Sequence, residues 1–327
     1  MTAGVRNRIA GTALAAALVV FGLTIWGWNT APTDATADPA AVPQVVGRSL
    51  NGTANPSTGC GAAPEVRPGT TDQRALHSSG HRRTYLVHVP GGYRPDRAVP
   101  VVIAFHGRGQ SGRIIESQTG LSNLPTIAVY PDGEISDTIG VRAWQNAPYA
   151  NHQVDDIAFT EALMRSVAAS YCVNLDQVFL VGHSNGGGFA AMAGCKLADR
   201  VTAVAMVSAA MYDETDGCPH PMSAFELHGT NDTIIPYSGA ARPGIQVPDI
   251  ASWVRSQAAV NGCTTEPDTD VFGVFVTRFT FSDCASNHPV VHLRVRHGGH
   301  AWHNELIGDA PLYSHIWQFL TSASAQA

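Results

Sequence analysis

The stretch from Val178 to Gly188 reads VFLVGHSNGGG. Four apolar residues precede a Gly-x-Ser-x-Gly pentapeptide, and the residues that follow it, through Ala193, have a helix-like composition. A strand that ends in this pentapeptide turns sharply into a helix, and the turn exposes the serine hydroxyl. Glycines stand where a side chain would clash. The stretch predicts that Ser184 is a nucleophile on a strained turn; a Gly/Ser-rich loop is the alternative.

Apolar runs bounded by turn residues alternate with helical patterns along the chain. Residues 99–105 form a continuous apolar run, as expected of a buried central strand. Residues 155–172 carry apolar side chains four positions apart, which is one stripe of a helix. The other predicted elements are strands at 83–90, 126–130, 178–181, 201–208, 223–227 and 290–295, and helices at 250–260 and 312–321. This alternation predicts an α/β fold with a mostly parallel central sheet and helices on both faces.

The composition limits the kinds of partner. The chain has 327 residues, of which 44% are hydrophobic and 14% charged, and this is enough for one domain with a full core. The net charge is −6, and the body of the chain has no run of Lys or Arg. We therefore expect no nucleic-acid partner. We also predict no metal and no cofactor.

The N-terminal segment has the composition of an export signal. Two arginines precede an apolar run over residues 11–28, and small residues follow at 35–37. We assign residues 1–37 to a signal peptide or membrane anchor, 38–58 to a flexible linker and 59–327 to the catalytic domain. The apolar run is just long enough to span a bilayer, so an uncleaved anchor stays open. We expect a secreted or cell-surface protein that meets a membrane only through this segment, if it is uncleaved.

The chain contains six cysteines. An even number in an exported chain favours disulfides, whereas free buried thiols are the alternative. The absence of any C-x-x-C pair argues against a zinc site. The spacing favours three pairs: Cys263 with Cys284, which flank one predicted strand, Cys195 with Cys218, and, by elimination, Cys60 with Cys172.

Candidates for the partners of Ser184 follow later strands. A serine hydroxyl needs a base to take its proton and a carboxylate to orient that base. Asp232, in the run HGTNDTIIP, directly follows a predicted strand and is the expected acid. His300, in HGGHAW, follows the last predicted strand, and the two glycines before it free the loop to reach the serine. Asp213 and Asp249 are the competing acids, although Asp249 is typical of a helix cap.

Backbone N–H groups should stabilise the anion that forms when the serine attacks. One donor is expected from Asn185, which follows the nucleophile. The other is expected from the glycine-rich loop HGRGQSG after the strand 99–105, where we choose Arg108. That loop lacks the G-K-[ST] ending of a phosphate-binding loop.

Two tryptophans could line the pocket. Trp144 and Trp302 could form an aromatic wall for an acyl group, although packing is the alternative for each. The remaining polar residues near the motifs are expected to be structural: His106, His183, His228, and Asp155 and Asp156, which would start the following helix.

Six motifs fall in one order along the chain: HGRG, YPDG, VDD, GHSNGGG, HGTND and GGHAW. This order resembles the exported polyhydroxybutyrate depolymerase and feruloyl esterase group of α/β-hydrolases, over about residues 60–320. The resemblance implies an α/β-hydrolase fold without a large lid, a triad of Ser184, Asp232 and His300, and oxyanion donors at Arg108 and Asn185.

The resemblance also implies an activity. We expect an exported serine esterase that hydrolyses carboxylic esters through an acyl-enzyme. Its expected substrates are polyhydroxybutyrate-type oligomers, or feruloyl or acetyl esters of plant polysaccharide. An acyltransferase on the same fold and a non-catalytic cell-surface binding protein are the alternatives.

Overall fold

The structure, a computed structural model, describes residues 54–212, 218–242, 245–264, 266–304, 307–308 and 310–324. The expected signal segment, most of the expected linker and Asp213 lie outside these residues. Among the described residues, no helix has the length and apolar character needed to cross a bilayer. The division of the chain into signal, linker and catalytic domain stays a prediction.

The secondary structure alternates between strands and helices, as the apolar runs predict. The strands are, in chain order, β1 (Thr70–Ser78), β2 (His81–Val89), β3 (Val99–Phe105), β4 (Ile127–Pro131), β5 (Glu134–Ile135), β6 (Arg142–Ala143), β7 (Val173–His183), β8 (Ala203–Val207), β9 (Ser223–Gly229), β10 (Ala240–Arg242), β11 (Ile245–Val247), β12 (Asp268–Phe272), β13 (Val276–Phe281) and β14 (Val290–Val295). The helices are α1 (Gly112–Thr119), α2 (Asp156–Ser170), α3 (Asn185–Lys196), α4 (Ile250–Val260) and α5 (Leu312–Ser324).

Ten of these strands form one sheet, in the order β1-β2-β4-β3-β7-β8-β9-β14-β13-β12. The six central strands, from β4 to β14, run parallel to one another. The pairs β1–β2 and β12–β13 extend the two edges in antiparallel fashion. The carboxyl ends of β3, β7, β8, β9 and β14 therefore meet at one edge of the sheet, where ligands bind in open α/β sheets.

The core has two layers, one on each face of the sheet. Alternate residues of β3 point to opposite faces: Ile103 and Phe105 pack in one layer, and Val102 and Ala104 in the other. The first layer includes buried side chains of α2, α3 and α4, and the second includes those of α1 and α5. The predicted mostly parallel sheet with helices on both faces is confirmed.

Three disulfides join the pairs that the spacing favoured: Cys60–Cys172, Cys195–Cys218 and Cys263–Cys284. One expectation about them needs correction. Cys263 and Cys284 flank two strands, β12 and β13, rather than one. β12 was not predicted because its residues are mostly exposed and carry no continuous apolar run.

Contacts between the N-terminal extension and the rest of the domain begin at a lower residue number than the expected end of the linker. The N–H of Ser57 donates to the carbonyl of Val173 at 2.9 Å, and the N–H of Leu175 donates to Asn55. The Ser57 hydroxyl donates to the Tyr171 carbonyl at 2.7 Å. Residues 55–57 therefore pair with the start of β7, although the expected linker extends to residue 58.

The disulfide of the N-terminal extension should contribute most to stability. It closes a loop of 112 residues, whereas Cys263–Cys284 closes 21. Replacing Cys60 and Cys172 together by serine should lower the free energy of unfolding by about 5 kcal/mol, and the matched pair Cys263 and Cys284 by about 3 kcal/mol. Urea unfolding without reductant measures both. A larger loss for the shorter loop would contradict this expectation.

Candidate active site

Ser184 lies on the turn between β7 and α3, with φ 56° and ψ −123°. This left-handed backbone is unfavourable for a residue with a Cβ and persists only where neighbouring contacts enforce it. The Ser184 carbonyl accepts hydrogen bonds from the N–H groups of Gly187, Gly188 and Ala210. Its own N–H donates to Val207 of β8 at 3.0 Å. The predicted strand–turn–helix element is present, and hydrogen bonds hold it.

The two glycines of the pentapeptide are required by close approach of the backbone. A Cβ on Gly182 would overlap the carbonyl oxygen of Gly186. A Cβ on Gly186 would overlap the carbonyl oxygens of Phe105 and His106 at the end of β3. These contacts are with backbone atoms, which cannot rotate away as a side chain can. The first turn of α3 is therefore held against β3, and this contact fixes the position of Ser184.

The structure brings Ser184, His300 and Asp232 together in one hydrogen-bonded chain. His300 Nε2 lies 2.9 Å from Ser184 Oγ, and His300 Nδ1 lies 2.7 Å from Asp232 Oδ2. Since a carboxylate only accepts, Nδ1–H donates to Asp232 and Nε2 accepts from the serine hydroxyl. Asp232 Oδ1 accepts the N–H groups of Ile234 and Ile235, each at 2.8 Å. A serine so connected can lose its proton to the imidazole as it attacks.

The loops that carry Asp232 and His300 are bound to each other. The N–H of Thr230 donates to Val295, and the N–H of Asn231 donates to Gly298. The N–H of His297 donates to Thr230 Oγ1 at 2.9 Å. The distance between acid and base is therefore set by backbone contacts between the loop after β9 and the loop after β14.

The two expected oxyanion donors are free of other acceptors. A Cβ on Gly107 would lie 3.3 Å from the Cβ of Ser184, so the loop after β3 lies beside the serine. In that loop, the N–H of Gly107 donates to Gln110 and the N–H of Gly109 to Arg142. Within the described residues, the N–H groups of Arg108 and of Asn185, the first residue of α3, have no acceptor. This distribution favours Arg108 over its glycine neighbours.

The expectation for Trp144 needs correction. Its side chain is fully buried, Nε1 donates to the His106 carbonyl at 2.9 Å, and its ring stacks on Phe189. The Trp144 ring fills the space between Phe105 of β3 and Phe189 of α3. Trp144 is therefore a packing residue. Trp302 is also buried, at 7% exposure, and its ring lies 6.3 Å from that of His183. Neither ring presents an open wall to a ligand.

The side chain of Asn185 has a role that the sequence analysis missed. Its Oδ1 accepts from the N–H of Trp144 at 2.9 Å, and its Nδ2 donates to Asn146 Oδ1 at 2.6 Å. The same segment is held from the other side by Asp156, which accepts from the N–H of Gln145. Asn185 thereby ties the start of α3 to residues 144–146. The only sequence signal for this contact is that a polar residue directly follows Ser184.

The aspartates before α2 have separate roles. Asp155 caps the helix, since its side chain accepts from the N–H of Ala158 at 2.9 Å. Asp156 is buried and pairs with the buried Arg83 at 2.8 Å. Asp249 caps α4 by accepting from the N–H of Ser252, so this competitor for the acid is a helix cap, as its position suggested.

Two histidines expected to be structural are buried and neutral. His106 Nε2 accepts from the N–H of Gly133 at 3.0 Å, and burial lowers the pKa of His106 to about 4. Within the described part of the chain, the ring nitrogens of His183 have no hydrogen-bond partner, and burial lowers the pKa of His183 to about 3. His228 differs from both, since its Nε2 lies 3.2 Å from Asp232 Oδ2.

An aromatic pair near the oxyanion loop was not predicted. The hydroxyls of Tyr149 and Tyr212 lie 3.0 Å apart, and the Arg108 guanidinium lies over the Tyr149 ring at 5.6 Å. Exposed apolar side chains also stand between β4 and α2 and after β9: Ile135, Ile139, Val141 and Ile234. Across the described ranges, no group of three or more His, Cys, Asp or Glu side chains could hold a metal ion.

Comparison with known proteins gives the family. A family model described as "Putative esterase" matches residues 77–253, more than half of the chain. This chain belongs to that esterase family. The matched region includes the loop after β3 (residues 106–112), Ser184 and Asp232, and it ends before His300.

Curated relatives of this chain are named feruloyl esterases. Feruloyl esterase D of Neurospora crassa is 30% identical over 197 residues, which cover 56% of this chain and 63% of that protein. The chain thus spans less than two thirds of this relative. Feruloyl esterase C of Emericella nidulans is 26% identical over 271 residues, covering 82% and 92%. The resemblance to the feruloyl esterase group is confirmed. The resemblance to polyhydroxybutyrate depolymerases stays a prediction.

Solved structures share the fold of this chain. An acetyl xylan esterase from Aspergillus awamori superposes with a TM-score of 0.55 at 13% identity, covering 76% of this chain and 99% of that one. A ferulic acid esterase from Anaeromyces mucronatus, solved with ferulic acid, has a TM-score of 0.51 at 16% identity, with coverage of 80% and 94%. At such identities the likeness concerns the fold alone, and it confirms the α/β-hydrolase fold.

The neutral His183 should make the folded chain sensitive to acid. Between pH 6.5 and about 3 the unfolded chain protonates this residue and the folded chain does not, so stability falls as pH falls. From pH 7 to pH 5 the loss from this group is about 2 kcal/mol. Urea unfolding of His183→Phe should show a smaller loss over that interval than the wild type. The exposed His152→Gln control should behave like the wild type; an identical pH dependence in all three would contradict the assignment.

Proposed function

We propose that this protein is an exported carboxylic ester hydrolase in which Ser184 is the nucleophile, His300 the general base and Asp232 the orienting carboxylate. The observation that carries the proposal is the continuous hydrogen-bonded chain from Ser184 Oγ through His300 to Asp232. It begins at a turn where Ser184 has a positive φ, a strained backbone conformation of the kind that clusters at active sites. Export is supported by the three disulfides, which persist in oxidising compartments.

The proposed reaction has two halves. Ser184 Oγ attacks the ester carbonyl carbon while its proton passes to His300 Nε2, and Asp232 stabilises the resulting imidazolium. The N–H groups of Arg108 and Asn185 donate to the oxygen anion of the tetrahedral intermediate. His300 then gives its proton to the leaving alcohol, and the acyl-enzyme remains. Water, deprotonated by His300, releases the acid by the same route.

We further propose that the acyl group is aromatic, as in feruloyl esters of plant polysaccharide, with acetyl esters as smaller substrates. Two relatives in this family are named feruloyl esterases. The aromatic pair Tyr149 and Tyr212 and the exposed apolar side chains near the oxyanion loop support a flat apolar group. Polyhydroxybutyrate-type oligomers are the second proposed substrate class, and only the order of the six sequence motifs supports them.

Ser184→Ala should abolish hydrolysis of p-nitrophenyl acetate, with kcat falling at least about 10⁴-fold, because the attacking oxygen is removed. The matched control is Ser117→Ala, an exposed serine on α1, which should keep wild-type turnover. A fluorophosphonate probe should label the wild type at Ser184 and leave the alanine variant unlabelled. Folded Ser184→Ala that retains turnover would overturn the nucleophile. A wild type that takes no label and hydrolyses no ester would favour a non-catalytic binding protein.

A substrate panel tests the acyl group. The wild type should hydrolyse methyl ferulate with a higher kcat/KM than methyl esters of short hydroxybutyrate oligomers. Tyr149→Leu should lower kcat/KM for methyl ferulate about tenfold more than for p-nitrophenyl acetate, since it removes an aromatic contact that only the larger acyl group reaches. Equal losses for the two substrates would place Tyr149 outside the acyl site. A preference for the oligomers would favour the depolymerase activity.

A further inference from the structure

A second chain of acid and base side chains begins at Asp232. His228 Nε2 lies 3.2 Å from Asp232 Oδ2, and His228 Nδ1 lies 3.1 Å from Glu226 Oε1. Glu226 Oε2 lies 2.7 Å from His292 Nδ1, and His292 Nε2 lies 2.8 Å from the Tyr237 hydroxyl. The chain therefore extends from the candidate triad across β9 and β14.

This chain is removed from solvent. The side chains of Glu226 and His228 are 0% exposed, and that of His292 is 3% exposed. A buried carboxylate is costly unless a positive partner and hydrogen bonds compensate it. Two carboxylates, Asp232 and Glu226, therefore need compensation in this part of the core, and His228 is the group that contacts both.

The hydrogen-bond geometry decides how many protons His228 carries. Its Nε2 faces the carbonyl oxygen of Ile235 at 2.8 Å and Asp232 Oδ2, both of which only accept, so Nε2 bears a proton. Its Nδ1 faces Glu226 Oε1, and a proton must lie between these two atoms as well. With Glu226 ionised, His228 is a doubly protonated imidazolium.

The surroundings of Glu226 favour its ionised form. It receives hydrogen bonds at both oxygens, from His228 and His292. Burial alone would raise the pKa of Glu226, but these two hydrogen bonds outweigh burial and lower it. Burial alone would likewise lower the pKa of His228, but the hydrogen bonds to Asp232 and Glu226 raise it to about 10. The imidazolium–carboxylate form is the one that the contacts support.

We propose that Glu226 and His228 form a buried imidazolium–carboxylate pair that sets the charge His300 experiences through Asp232. Both are positioning residues, and the proposal rests on the proposed function of the triad. The His228 cation contacts the same Asp232 oxygen that accepts from His300 Nδ1. It therefore offsets part of the negative charge that would hold a proton on His300. The pair thereby limits the negative charge that faces His300 Nδ1.

Other titratable groups do not replace this cation. Those that face the chain from neighbouring elements are His183 and His303 beside His300, Tyr237 beside His228 and His292, and Asp249, Arg255 and Arg294 around Tyr237. Burial lowers the pKa of His183 to about 3, so this imidazole is neutral at higher pH. Within the described residues, neither Lys196 nor any arginine forms an ion pair with Asp232 or Glu226.

The pH profile of kcat/KM tests the functional half of the proposal. His228→Gln keeps an amide donor toward Asp232 and removes the cation, so the acidic limb should move up by about one pH unit. The double variant His228→Gln/Glu226→Gln also removes the carboxylate that would be left unpaired. If the single variant fails to fold, the double variant should move the limb in the same direction by a smaller amount, because a negative charge is lost together with the cation. The control Tyr237→Phe removes the outer hydroxyl and should leave the limb unchanged. An unchanged limb in a folded His228 variant would overturn the proposal.

The protonation state is measured directly in the wild type. With ¹⁵N-labelled histidine, one of the 14 imidazoles should remain doubly protonated near pH 9, and His228→Gln or the double variant should remove that signal. Absence of any imidazolium at that pH would overturn the pair. This measurement needs no turnover, so it is independent of the Ser184→Ala result: loss of the esterase mechanism would leave the signal in place.

Discussion

The contact between the first turn of α3 and the end of β3 is the constraint on which the site depends. Gly186 lies against the carbonyls of Phe105 and His106, and Gly182 lies against the carbonyl of Gly186. These carbonyls belong to the central parallel sheet and the helix that packs on it, so they cannot retreat. The chain can pass between them only by a turn with positive φ at Ser184. The strain at the serine is thus maintained by the packing of the whole domain.

The same parallel sheet explains why distant residues meet. Ser184 and His300 are 116 positions apart, yet each follows the carboxyl end of a central strand. The loops after β9 and β14 are joined by backbone hydrogen bonds, which hold Asp232 at a fixed distance from His300. The hydrogen-bonded chain therefore depends on strand order and loop pairing more than on the side chains themselves. A mutation that shifts β14 against β9 would separate acid from base.

The residues that could be predicted from the sequence are those that the backbone conformation requires. Gly182, Ser184 and Gly186 were predictable because a strained turn admits few residue types, and His300 because it follows a strand end. The packing of Trp144 against Phe189 and the contact of Glu226 with His292 were not predictable. Glu226 stands in the apolar run AFEL, and its partner is 66 positions away in another strand. Only the register of β9 against β14 places the two side by side.

The carboxylate of Asp232 shows how stability and chemistry draw on the same atoms. Its Oδ1 accepts two backbone N–H groups, and its Oδ2 faces two imidazoles. Burial alone would raise the pKa of Asp232, but the bonds to His228 and His300 hold it well below its usual range. Donors from two loops and a strand fix the carboxylate. His300 is the more exposed partner at 17%, against 0% for His228. Of the two imidazoles, His300 is therefore the one that a molecule from solvent can reach.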